Sequence, residues 1–134
     1  MKILLDEQIH TDIFIALKTS YEVYSIKSMG WKGLQNGELR EKLNENNFTF
    51  LLCADKNIAF QQNIHKMNFT IILIDTPSLR AEKQSLFVPK IEDLLRNLPN
   101  SLPKMIHVSV VEFHNIKLIE KLKKIFSPAE ILFI

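Results

Sequence analysis

The chain has a single cysteine, Cys53, and only three glycines and one tryptophan among its 134 residues. One cysteine excludes an internal disulfide and a thiolate metal cage. The four histidines, His10, His65, His107 and His114, show no HxxxH spacing, which argues against zinc. No apolar run reaches the roughly 18–20 residues that span a bilayer, so no membrane role is expected. The opening MKILLDEQIH lacks the basic start and long apolar core of a secretory leader and predicts a mature cytoplasmic start. Charge of one sign is also scarce. Seventeen basic residues against fifteen acidic give +2, too mild to announce a nucleic-acid partner. The glycines match neither GxGxxG nor GxxxxGK[ST], and no Ser, His or Cys stands in a nucleophile-elbow context.

What is present is an ordinary globular balance, 46% hydrophobic and 24% charged, in a length that predicts one domain. Its apolar pattern alternates between two periods. Short apolar or β-branched runs at Lys2–Leu5, Tyr21–Ile26, Phe48–Ala54, Phe69–Ile74, Met105–Val111 and Ile131–Ile134 read as strands. Helical spacing occupies Ile9–Lys18, Asn36 or Gly37 to about Asn46, Ile58–Met67, Leu86–Leu98 with Pro89 near its first turn, and Ile116–Phe126. All three glycines fall in Gly30–Gly37, which concentrates irregular backbone there. Strands alternating with helices predict right-handed βαβ units and a three-layer α/β/α sandwich around a mostly parallel sheet.

Ligands of open parallel sheets bind beyond the carboxyl ends of the strands. Asp6 and Glu7 follow the first strand, Asp55, Lys56 and Asn57 the third, and Asp75 the fourth, while Glu38 opens the helix after the glycine-rich loop. Convergence of Asp6, Glu38 and Asp55 would set like charges against each other. At 4 Å and an effective dielectric of 20 each pair repels by roughly 4 kcal/mol. Such a cluster calls for protons or a hard cation. Mg²⁺ or Mn²⁺ takes oxygen ligands, keeps several waters and supports phosphodiester hydrolysis. Each acid also has a plainer reading: Asp55 as an N-cap, Glu38 as a favourable first-turn charge, Asp6 and Asp75 as turn residues. Cys53 reads as a small buried hydrophobe and Trp31 as an anchor of its loop. Lys56 suits a substrate phosphate, whereas the lysine-rich stretch with Lys117, Lys121, Lys123 and Lys124 reads as a solvated face.

Three segments, MKILLDEQI, GWKGLQNGEL and FLLCADKNIAFQQN, resemble in order and spacing the PIN-like family of toxin ribonucleases. The likeness covers roughly residues 1–98. It implies an α/β/α sandwich whose acids bind Mg²⁺ or Mn²⁺ at the carboxyl edge of the sheet, with Asp6, Glu38 and Asp55 as the metal-binding and catalytic acids. Asn57 falls where many PIN nucleases carry a further acid and would lend a carbonyl oxygen. Gln8 stands where Asn is usual. Gln61, Gln62 and Asn63 match the family's polar run and are candidates for substrate contact. Residues from about 113 onward lie beyond the usual ending, as an extension of a single domain spanning 1–134. The resemblance implies an RNA substrate and a small antitoxin partner; self-association is a further expectation.

The expected function is therefore a metal-dependent endoribonuclease of the toxin type. Two rivals stand beside it. One is a catalytically weak PIN-like module whose task is protein binding, motivated by Asn57. The other is a phosphoacceptor receiver domain, which would need a lysine after the fifth strand where this chain has Glu112.

Overall fold

The apolar runs KILL, FLLC, TIILI and MIHV become the four interior strands of a six-stranded sheet. A computed structural model describes residues 1–61 and 63–134. The strands are β1 (Lys2–Leu5), β2 (Glu22–Ser25), β3 (Phe50–Cys53), β4 (Thr70–Ile74), β5 (Met105–Val108) and β6 (Ile131–Phe133). The helices are α1 (Thr11–Lys18), α2 (Asn36–Glu45), α3 (Ile58–Gln61), α4 (Ala81–Gln84), α5 (Val88–Arg96) and α6 (Ile116–Ile125). Every strand pairing is parallel, in the order β2-β1-β3-β4-β5-β6.

Parallel strands bury both faces, and alternate residues feed two cores. Leu4, Leu51, Leu73 and Met105 pack with Leu39 and Leu43 of α2 and Leu118 and Leu122 of α6. Ile3, Leu52, Ile72 and Ile106 pack with Ile13 and Leu17 of α1 and Ile91 and Leu95 of α5. The result is the expected three-layer α/β/α sandwich.

Three details differ from the periodicity. Within the stretch Ile58–Met67, expected as one helix, the described residues form α3 over Ile58–Gln61 and a separate 3-10 turn over Ile64–Lys66, where the Asn63 side chain accepts the His65 N–H. The helix expected from Leu86 is preceded by α4 and a second 3-10 turn (Ser85–Phe87); α5 itself starts at Val88, with Pro89 in its first turn. The third difference is one of hand. The β2–β3, β3–β4 and β5–β6 connections cross on the α2/α6 face, and the β1–β2 connection runs the other way across the opposite face. These four share one hand. The β4–β5 connection crosses on the α1 face and so has the opposite hand to the rest. The handedness rule describes a strand feeding a helix that packs straight back onto the sheet. Residues 75–104 instead pass through Pro77, α4 and a 3-10 turn before α5, and that length relaxes the constraint.

Residues from 113 onward supply α6 and β6, and β6 extends the sheet by pairing with β5. Among the described residues no helix is long and apolar enough to cross a membrane.

Candidate functional site

The path across the sheet reverses at β1. The chain moves from β1 outward to β2, then returns past β1 to β3 and continues to β6. The crevice beyond the carboxyl ends of β1 and β3 is thus the switch point at which open α/β sheets bind ligands. Asp6 is the first residue past β1, its N–H still donating to the Leu52 carbonyl of β3 at 3.0 Å. Asp55 is the second residue past β3. Burial pushes the Asp6 carboxyl above its ordinary range; the carboxylates of Glu7 and Asp55 add to the rise, against a lowering hydrogen bond from the Glu7 backbone. Asp6 and Asp55 are therefore close enough to feel each other's charge.

Three clefts lie along this edge. One of about 460 Å³ lies beyond β1 and β2, walled by Asp6, Glu7, Phe14, Ser25, Lys27 and Lys32. A second of about 310 Å³ shares Asp6, Glu7 and Lys32 and is bounded by Trp31. The third, about 260 Å³, is lined by Asp55 with Gln8, Lys56, Thr76 and Ser78 and shares no residue with the other two. The loop that carries Asp6 and Glu7 is fixed from below. Buried Gln84 accepts the His10 N–H at 2.7 Å and donates to the carbonyls of Gln8 (2.7 Å) and Leu79 (3.0 Å).

A second group of polar side chains is more deeply buried. Asp75, the first residue past β4, is 1% exposed, and His107 of β5 is wholly buried. Nε2 of His107 faces Asp75 Oδ2 at 2.8 Å. Asn115 Nδ2 donates to Oδ1 at 3.3 Å, and Lys56 Nζ lies 3.4 Å from the same oxygen. Burial works to raise the Asp75 carboxyl, but the hydrogen bonds from His107 and Asn115, with the charges of His107 and Lys56, outweigh it and hold it low. Nδ1 of His107 has no partner among the described residues.

The residues expected from sequence fall into distinct places. Glu38 is exposed in the first turn of α2, and its carboxylate accepts the Gln35 N–H at 3.4 Å, the capping reading. Asn57 donates its N–H to Asp55 Oδ1 at 2.9 Å, closing a turn. Lys56 turns towards Asp75. Gln61 accepts a hydrogen bond from Asn36 at 3.2 Å, Asn63 caps the 3-10 turn, and Gln62 lies outside the described residues. Trp31 packs edge-on against Phe48, the ring centroids 5.8 Å apart, as an anchor for its loop. Lys117, Lys121, Lys123 and Lys124 are exposed along α6. Among the described residues no three His, Cys, Asp or Glu side chains converge to hold one metal ion.

Sequence reading undervalued Asp75, taken as a turn residue, and missed His107, Asn115 and Gln84. Two signals were available. Asp75 directly follows an apolar strand as Asp6 does, and His107 is the one polar residue in MIHV. Asn115 and Gln84 carried none, because their roles depend on which loops the fold sets side by side. Compared with family models, with curated proteins and with solved structures, the chain matches none.

Proposed function

We propose that this chain is a metal-dependent endoribonuclease acting at the β1–β3 switch point, with Asp6 and Asp55 as the acids that hold Mg²⁺ or Mn²⁺. The observation that carries the reading is the placement of these two acids just past the adjacent strands β1 and β3, Asp6 raised by burial and by its acidic neighbours. Two carboxylates suit a hard cation that keeps its waters and shares substrate phosphate oxygens. Glu38 fits this set less well, since its carboxylate caps its own helix. The cation would lower the pKa of bound water and offset charge on the phosphoryl group.

This chain's own residues do the rest. Asp6 and Asp55 bind, Asn57 restrains Asp55 through its N–H, and Gln84 keeps the Asp6 loop in place. Lys56 offers positive charge to the phosphate backbone beside Asp55. The resemblance to PIN-like toxins makes RNA the substrate and a small antitoxin the natural partner of this reading. Cleavage of a structured RNA in Mg²⁺ tests it. The wild type cuts, while Asp6→Asn and Asp55→Asn each lose about 100-fold or more, the scale expected when a charge-stabilising group is removed. Equal rates in all three proteins would reject the assignment.

One observation favours a second reading, a catalytically weak PIN-like module that works by binding protein. Glu38 caps α2 and Asn57 replaces an acid, leaving two of the family's acids at the crevice. That module would bind a partner tightly, with no metal-stimulated cleavage.

A further inference from the structure

The Asp75–His107 pair takes no part in the cation site, yet burying a carboxylate is costly unless its oxygens are satisfied. Here both are. Oδ2 takes the His107 bond, and Oδ1 takes the Asn115 amide with Lys56 alongside. The partners are themselves held. Asn115 caps α6, its Oδ1 accepting the Leu118 N–H at 3.2 Å. His107 sits within β5, its ring centroid 5.5 Å from that of Phe133. Of the partners of a carboxylate so fixed, Lys56 is the half-buried cation, its side chain 35% exposed. The same ammonium lies 4.9 Å from the centre of the Phe113 ring, a cation–π distance.

Lys56 directly follows Asp55 and walls the third cleft with Asp55, Thr76 and Ser78. A lysine is a compact charge on a flexible four-carbon stem, and alone it fixes no geometry. Buried Asp75 and the Phe113 ring remove that freedom from opposite chain segments, one after β4 and one before α6. We propose that Asp75 and Phe113 are positioning residues that hold the Lys56 ammonium at the β3–β4 edge, where it meets a phosphate oxygen of a nucleic-acid strand lying over Asp55. The inference rests on the hydrolase reading above and gives that crevice a second, metal-independent contact to its substrate.

Kinetics of RNA cleavage in Mg²⁺ by Lys56→Met, Asp75→Asn, Phe113→Leu and the two double variants with Lys56→Met test it. Misplacing a positioned group by about 1 Å costs on the order of 100-fold. Asp75→Asn therefore loses about 10- to 100-fold in kcat/KM, read mainly as a rise in KM because the contact is made to bound substrate, and Phe113→Leu loses less. Each double variant matches Lys56→Met alone, because nothing is left to position. A second readout needs neither metal nor activity. The ¹H–¹⁵N signal of the Lys56 ammonium, observable in the wild type in metal-free buffer, disappears in Asp75→Asn and Phe113→Leu. If Asp75→Asn does not fold, Phe113→Leu and its double variant carry both measurements. Wild-type kcat/KM in the single variants, multiplying losses in the doubles, or an unchanged ammonium signal would overturn the inference alone. A wild type that cuts no RNA would overturn the hydrolase reading and this inference with it.

Discussion

Two aspartates that each follow a buried strand are driven in opposite directions. Asp6 is raised by burial and by the acids beside it, whereas Asp75 is held low by hydrogen bonds and positive neighbours despite its burial. For Asp6 the folded value lies above the unfolded one. Its contribution is therefore unfavourable at neutral pH and fades as pH falls below both values. Asp6→Asn is expected to stabilise the protein at pH 7 by about 0.5–2 kcal/mol, as removal of a functional strain often does. Thermal melts should show that gain vanishing near pH 3, roughly a unit below the unfolded value. For Asp75 the sign reverses. Its stabilisation is complete above the unfolded value near about pH 4 and is lost as pH falls through the lower folded value. Acid titration of the urea midpoint should show this loss in the wild type and not in Asp75→Asn. Cys53 is fully buried, and burial first, then the charges of Asp6 and Asp55, push its thiol far up, so slow alkylation by a thiol reagent in the native protein is the matching expectation.

Elements were legible where periodicity and length agreed. KILL, FLLC and TIILI are too short and too apolar to be anything but buried strands, and Leu39 and Leu43 mark α2 by their four-residue spacing. Legibility failed where one periodic stretch contained two elements. Ile58–Met67 keeps helical spacing through its apolar residues, but the Asn63 side chain takes the His65 N–H and begins a new turn. A local side-chain bond of this kind competes with the helix and carries no hydrophobic signature. The C-terminal elements make the plainest element-scale prediction. Leu122 of α6 is wholly buried among Met105, Phe126 and Ile131 in the core on that side of the sheet. Leu122→Ala should cost about 2–5 kcal/mol in chemical denaturation, with one cooperative transition, because α6 and β6 complete the sheet. A loss below about 0.5 kcal/mol, or a separate early transition, would make them an appendage.

At the scale of the whole molecule, the order of strands decides what the acids can do. Which strand ends follow which residues was readable from sequence; which strand ends are neighbours was not. Asp6 and Asp55 are joined only because β3 returns past β1, and Asp75 meets His107 only because β5 lies next to β4. The opposite-handed β4–β5 connection has no sequence signal, since the rule it departs from concerns how a chain packs rather than what it contains. It carries the chain to the α1 face, where Gln84 ties down the Asp6 loop. The same sheet edge thus gathers Asp6, raised by burial, with Asp55 past the adjacent strand, a fixed lysine and open clefts. Calorimetric titration with Mn²⁺ of the wild type, Asp6→Asn and Asp55→Asn tests most directly whether that pair is a cation site. Saturable uptake by the wild type that is lost in both variants is the predicted result. No uptake by the wild type, or equal uptake by all three proteins, would contradict it.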